Sequence, residues 1–441
     1  MLDELGERCT AALAEHGCPS VSVAVAERGE VVLAEAYGAA ELATGRRAGT
    51  DTVYPLGSVT KSITAVAVCV AADQGLLELD APVPGEFGRW PAPTVRQLLQ
   101  HRGGFGPYYD WDYGDGAPRI DPDRYAVLFR EPGSGFEYAN LGYRILGRLL
   151  ESVTGLELGA FVRERVLLPL GLTHSRLTRT YPGPAPAAVR HAADGRGYPD
   201  YDCGHPGATL GWAPAGELAL FAQTYHRLLK PRTAAAMRAA LPINEQVGYG
   251  LGWCLAAGAG QLVQSHGGGG GGVAAMTVAL PERRLSVAVL SNSTDKAARD
   301  AILRYVLGEL APGFQDAWIN PMTPRPTRPM ELPAGEWSGR ISTPDGELPV
   351  ELRTLTDGRI EVGVAGERAG AAAVSTDTWD LLASLPLQLP TADARVNSPQ
   401  LMLGLRREAG GLVGMACANK DGEGDGRLGN FLSHHCELRP R

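Results

Sequence analysis

The sequence has no surplus of positive charge. With 41 Lys and Arg against 49 Asp and Glu its formal charge is -8, so it offers neither the basic footprint that nucleic acid requires nor a polybasic anchor for anionic lipid. Nor does it contain a long apolar run: the stretches near Val21 and Ala65 are far too short to span a bilayer. The opening residues, MLDELGERCTAALAEHGCPS, carry acids where a secretory leader carries basic residues, and no apolar core follows them. Seven cysteines at irregular spacings form no C-x-x-C and no Cys/His ligand pattern, which speaks against a disulfide framework and a zinc site. A reducing cytoplasm is therefore the expected compartment, with no metal and no cofactor. The G-x-S-x-G elbow and H-E-x-x-H are missing too, which disfavours an α/β-hydrolase and a zincin.

What is present is ordinary globular material. Hydrophobic residues make up 44% and charged residues 20% of 441 positions, enough for two domains with real cores. Val21, Val23 and Val25 alternate with small residues, and a turn at Glu27-Arg28-Gly29-Glu30 leads back through Val31 to Ala34, which predicts a hairpin. Strand patterns return at Val247–Trp253, Gln261–His266, Val273–Leu280 and Leu285–Leu290, and helical patterns fill the middle. Strands at both ends around a helical middle predict an α/β sandwich with an antiparallel sheet rather than a doubly wound parallel one. Five prolines in PMTPRPTRPMELP (321–333) predict a stiff connector. Beyond it, alternation at Leu348–Leu352, Ile360–Val364 and Leu401–Leu405 predicts a small antiparallel barrel.

The stretch with chemical promise is PLGSVTKSITAVAVCVAADQGLLEL, Pro55 to Leu79. Ser58 and Lys61 stand three apart at the head of a buried-helix pattern, so they share one face. A serine hydroxyl needs a base within reach, and a lysine can be that base only when uncharged, which burial favours. The pair alone reads equally as an ordinary helix start, because S-x-x-K arises often by chance. The aromatic and acidic loop Tyr108-Tyr109-Asp110-Trp111-Asp112-Tyr113 reads either as a wall for a peptide-like ligand or as a surface loop folded on its own rings. His434-His435-Cys436 cannot easily share one ion, since adjacent strand residues face opposite ways.

Taken in order, Ser58-Val59-Thr60-Lys61, Tyr138-Ala139-Asn140 and His266-Gly267-Gly268 resemble the serine β-lactamase and penicillin-binding protein superfamily, in its class C-like branch. The text at Gln97–His101, Pro169–Gly171 and Tyr249–Trp253 fits the same resemblance, which covers Ser20 to about Leu310. It implies a β-lactamase/transpeptidase-like domain over residues 1–320, a linker over 321–333, and a lipocalin-like barrel over 334–441. It implies Ser58 as nucleophile forming an acyl-enzyme, Lys61 as its proton acceptor, and Tyr138 as proton carrier to the leaving group or from the incoming one. Asn140 would bind the substrate amide and position Lys61, although a turn-capping asparagine reads as well. The backbone N–H groups of Ser58 and Gly269 would form the oxyanion hole.

His266 stands where many relatives in that superfamily have lysine, which weakens the case for a dedicated β-lactamase and suits esterases, D-aminopeptidases and peptide cyclases. The two-domain layout resembles penicillin-binding-protein-type thioesterases, stand-alone cyclases of nonribosomal peptides with a D-configured C-terminal residue. That implies a peptide substrate presented by a peptidyl carrier protein, with no nucleic-acid or membrane partner. A D-peptidase or esterase that hydrolyses the same acyl-enzyme is the alternative, and a non-catalytic binding protein a more distant one. Arg427 or Arg439 could hold a substrate carboxylate, or be solvated surface arginines.

Overall fold

The structure is a computed structural model that describes residues 2–117, 119–258, 260–319, 326–391, 399–419, 423 and 426–441. The hairpin forms as Ser20–Glu27 against Glu30–Glu41. Ser20–Glu27 also pairs along its whole length with Leu285–Ser291, so the two ends of the first domain meet in one sheet. Nine antiparallel strands result, running outward through Val273–Leu280 and Gln261–Gly270 to Leu241–Pro242 at the far edge.

Alternation along these strands sorts side chains by size. Val21, Val23 and Val25 pack with Ile302, Leu303 and Val306 of the closing helix Ala297–Leu310 and with Leu5 and Cys9 of the first helix, Leu5–Glu15. Ala24 and Ala26 face the other way, towards Ala215, Leu218 and Ala219 of the helix Ala215–Thr224. Small residues on that face let this helix and the helix Thr60–Asp73, buried from Thr60 to Ala71, lie close to the sheet. The expected sandwich is thus present. Two expected helices are modified: Ala215–Leu229 changes to 3-10 winding after Thr224, and the stretch at Phe161–Leu168 winds through a π turn, Arg163–Leu167.

In the second domain the strands run Leu381–Leu385, Gln400–Glu408, Gly411–Asn419, Phe431–Pro440, Gly335–Thr343, Gly346–Thr354, Arg359–Val364 and Glu367–Ala372 in sheet order. The sheet curls until Glu367–Ala372 comes beside Leu381–Leu385, and aliphatic side chains such as Ile341, Val362, Leu381, Leu403 and Leu438 fill its interior. The proline-rich stretch, expected to be a stiff connector, is partly built into the second domain. Its residues 321–325 lie outside the described residues, but Arg328–Pro329 pairs with Val374–Ser375 and Met330 and Leu332 are buried in this second core.

One strand of that sheet comes from the first domain. Tyr108–Tyr109 pairs antiparallel with Phe431–Leu432, while Ser433 Oγ donates to Pro107 O (2.7 Å) and Trp111 N–H to Asn430 Oδ1 (2.9 Å). Strand addition uses main-chain bonds whatever the side chains are, leaving the rings of the aromatic loop free to be aimed elsewhere.

Candidate active site

Ser58 sits in one turn of 3-10 helix, Gly57–Val59, that feeds the helix Thr60–Asp73. Because that helix is buried, its hydroxyls need partners. Thr60 Oγ1 donates to Gly57 O (2.6 Å), Ser62 Oγ to Gly252 O (2.7 Å) and Thr64 Oγ1 to Gly207 O (2.7 Å). These bonds fix the turn that carries Ser58. At 9% exposure its side chain remains open to a cleft of about 590 Å3.

Lys61 is fully buried, with Nζ 3.1 Å from Ser58 Oγ and 3.2 Å from Ala208 O. Burial holds its amine well below the ordinary lysine value, with only a weak opposing pull from Cys203. For an uncharged amine the 3.1 Å contact runs from the Ser58 O–H to the nitrogen lone pair, while an amine N–H donates to Ala208 O. The same nitrogen lies 4.7 Å from the centre of the Tyr138 ring. The Tyr138 phenol is within hydrogen-bonding reach of Ser58, and burial raises it well above its usual value against the lowering effect of that contact, so it keeps its proton at neutral pH. A hydroxyl, an amine whose charged form burial disfavours and a protonated phenol therefore converge.

His266 is 3% exposed and lines the same cleft. Nδ1 lies 2.8 Å from the carbonyl of Gly267, which can only accept, so the proton is assigned to Nδ1 and Nε2 accepts from Tyr249 Oη at 2.9 Å. Burial is the largest cause that lowers the imidazole to about 3. His266 is thus a neutral ring held in one tautomer, unlike the permanent cation of a lysine.

The main chain around Ser58 and the glycine strand is in close contact. Gly57 has φ +51°, and a Cβ there would lie 2.9 Å from Gly269 N; a Cβ at Gly268 would lie 1.9 Å from Leu56 O and 3.2 Å from Ser58 N. Only glycine permits this approach, which brings the Ser58 and Gly269 amides to the same end of the cleft.

Asn140 is placed differently from expectation. Its side chain is fully buried, Nδ2 donates to Tyr108 O (2.7 Å), and Oδ1 has no hydrogen-bond partner among the described residues. It holds the base of the aromatic loop rather than Lys61. Arg427 and Arg439 are both answered by carboxylates, Asp115 at 3.0 Å and Glu437 at 2.6 Å.

Two contributors, His101 and Tyr249, escape sequence reasoning, and a third, Tyr109, lies in the loop for which a ligand wall is one of two readings. His101, at φ +54°, accepts the Ala139 N–H on Nδ1 (3.2 Å) and lies with its ring 4.1 Å from that of Tyr138, so it fixes the phenol's direction. Tyr249 holds His266. The Tyr109 ring lines the cleft beside Trp111 and Leu428, and it stacks on Phe431 of the second domain (6.2 Å, 18°). His101 and Tyr249 stand in the text quoted for the resemblance, which was their only signal. The aromatic loop is therefore a cleft wall, and the second domain supports it.

The beta-lactamase family model matches residues 6–311. A D-aminopeptidase of Cereibacter sphaeroides (strain ATCC 17023) is 26% identical over 84% of this chain and 76% of its own length. A penicillin-binding protein of Bacillus subtilis (strain 168) is 25% identical over 64% of this chain and 70% of its own length. Among solved structures, SurE superposes with a TM-score of 0.69 over 99% of both chains at 23% identity, which shows a shared fold through the second domain as well. The catalytic-domain match spans well over half of the sequence, and the protein belongs to the beta-lactamase family of serine-nucleophile hydrolases.

Proposed function

We propose that Ser58 is the nucleophile of an acyl-enzyme that ends in a cyclic peptide, so that the protein works as a stand-alone peptide cyclase. The observation that carries the acyl-enzyme reading is the 3.1 Å contact between Ser58 Oγ and a Lys61 amine held uncharged by burial. In this reading Lys61 takes the Ser58 proton as Oγ bonds to the donor carbonyl carbon. The oxygen that becomes negative is met by the Ser58 and Gly269 amides, and Tyr138 gives its proton to the leaving group. An amine at the far end of the acyl chain then attacks the seryl ester, its proton returns through Tyr138 and Lys61, and Ser58 leaves as the free alcohol.

Support for the cyclising outcome comes from the cleft wall. Tyr109, Trp111 and Leu428 lay apolar surface beside Ser58, and a peptide that folds back against such a wall displaces water from the ester it must attack. A D-configured residue at the scissile bond agrees with the D-aminopeptidase relative and with a SurE structure holding D-Leu. The acyl donor would arrive as a thioester on a carrier protein in the cytoplasm, a setting that suits seven buried cysteines held as thiols. The same relative supports a second reading, a D-peptidase in which water takes the acyl group.

The two readings part on one assay. A peptidyl thioester with a D-configured C-terminal residue should yield cyclic peptide, and linear acid alone would sink the cyclase in favour of the peptidase.

A further inference from the structure

The cleft holds five formally charged side chains, and four of them are paired. Arg299 bonds to Asp300 and, being buried, also donates to Ala275 O (3.0 Å), while Arg304 meets Asp316 at 2.9 Å. Burial disfavours the charged forms of Lys61 and His266, the basic groups nearest the reacting hydroxyl. The fifth is Lys296, directly before the closing helix. Its Nζ makes no hydrogen bond or ion pair among the described residues; burial and the nearby Arg299 lower its amine from the ordinary lysine value, and Asp300 opposes them. A Cβ at Gly269 would lie 2.9 Å from that nitrogen and 2.7 Å from Cε, so the ammonium rests against the glycine whose amide is the second oxyanion donor. In a sequence with four lysines among its 41 basic residues, one is buried beside Ser58 and another occupies this place.

We propose that Lys296 determines the charge preference of the cleft, favouring acyl donors that carry a carboxylate near the scissile carbonyl and disfavouring donors whose α-amine is a free ammonium beside it. The inference rests on the acyl-enzyme reading and deepens it by stating a substrate class. An aminopeptidase substrate must present an ammonium one carbon from the scissile carbonyl, within a few ångströms of the oxyanion donors. Unit charges about 6–8 Å apart in a partly desolvated cleft interact strongly enough to change binding roughly tenfold or more. An amide-blocked donor avoids that repulsion, and an anionic one gains attraction. The same cation lowers the pKa of an amine arriving at the ester, keeping an attacking nucleophile in its neutral form. Lys296 is therefore a specificity residue and not the base.

The test uses the full chain at low ionic strength and three phenyl thioesters: N-succinyl-D-Phe, N-acetyl-D-Phe and D-Phe with a free amine. In the wild type kcat/KM should rank succinyl above acetyl above free amine, with at least roughly tenfold between the extremes. Lys296→Met should shrink the succinyl-to-amine ratio by about tenfold, Lys296→Glu should invert it, and Lys296→Arg should keep it. Each ratio is internal to one preparation, so partial loss of folded protein leaves it intact. An unchanged ratio in Lys296→Met, or a loss of preference in Lys296→Arg equal to that in Lys296→Met, overturns the proposal. If the neutral N-acetyl thioester leaves no acyl adduct on wild-type Ser58, the acyl-enzyme reading itself falls, and intact-mass analysis distinguishes that failure from the first.

Discussion

In the proposed reaction a serine, a lysine and a tyrosine act as one set because desolvation biases the lysine and the tyrosine towards the protonation states that the chemistry needs. Ser58→Ala should abolish the adduct seen by intact mass after exposure to an activated ester. Lys61→Ala should slow acylation by about 10²–10⁴, as removal of a positioned base does; a near-normal rate would move the base to Tyr138. Acylation should also fall on acidification, because the amine is effective only without its proton and regains it as pH drops through its lowered pKa. His266 makes a separate claim on stability. Its folded value of about 3 lies below the unfolded value of ~6.5, so the unfolded chain binds a proton first as pH falls. Its contribution is intact above ~6.5 and is lost progressively towards about 3, costing about 2 kcal/mol at pH 5. Denaturant titrations at pH 7.5 and 5 should therefore differ less in His266→Gln than in the wild type, and equal differences would contradict a neutral buried ring. The Ser58–Lys61 pair was legible in the sequence because one helical turn places both side chains. His101 was not, since it becomes meaningful only when the chain returns after more than thirty residues to lay Tyr138 on its ring.

The elements show why glycine, rather than any side chain, governs the oxyanion end. Sequence reasoning treats the run from Gly267 as a gap between strands, since glycine has poor strand propensity. Pairing with Val273–Leu280 overrides that propensity, and the strand continues to Gly270. Alternate glycines then face different neighbours. Gly268→Ala would place a methyl 1.9 Å from Leu56 O, backbone that cannot yield without moving the Ser58 turn. Acylation should drop by at least about 10², the loss typical of one missing oxyanion donor. Gly267→Ala meets the flexible end of Met276 at 3.1 Å instead and should lose far less. Single-turnover acylation of the two variants compares them directly; equal losses would mean that the strand, and not its approach to Ser58, is what matters. The first hairpin was similarly legible from local pattern, while the structure adds a capping box between Thr94 and Gln97 and a helix end at Gly155 with φ +68°. Sheet order was not legible, because pairing of Ser20–Glu27 with Leu285–Ser291 depends on closure over more than two hundred residues.

At the scale of the whole molecule the two domains meet at several places, among them Arg89–Glu408 and Arg124–Asp345, and one of the joints lies at the cleft wall. Tyr108–Tyr109 is a strand of the second sheet, Asn140 holds Tyr108 O from the first domain, and Asn430 holds Trp111 N–H from the second. The wall is thus clamped from both sides, one residue before Tyr109 and two residues after it. Asn430→Ala removes the acceptor of a buried N–H, at a cost of about 1–3 kcal/mol unless the loop moves to find another. Movement is the cheaper outcome for a short loop, and it would shift the Tyr109 and Trp111 rings without touching Ser58, Lys61 or Tyr138. A peptide long enough to lie on the wall should then show a raised KM, whereas a small acetyl ester that reaches only Ser58 should keep its acylation rate within a few-fold. Comparison of the two donors on Asn430→Ala separates a wall that binds substrate from one that only seals the domain junction. Equal changes for both would mean that the second domain stabilises the catalytic one and takes no part in choosing the peptide.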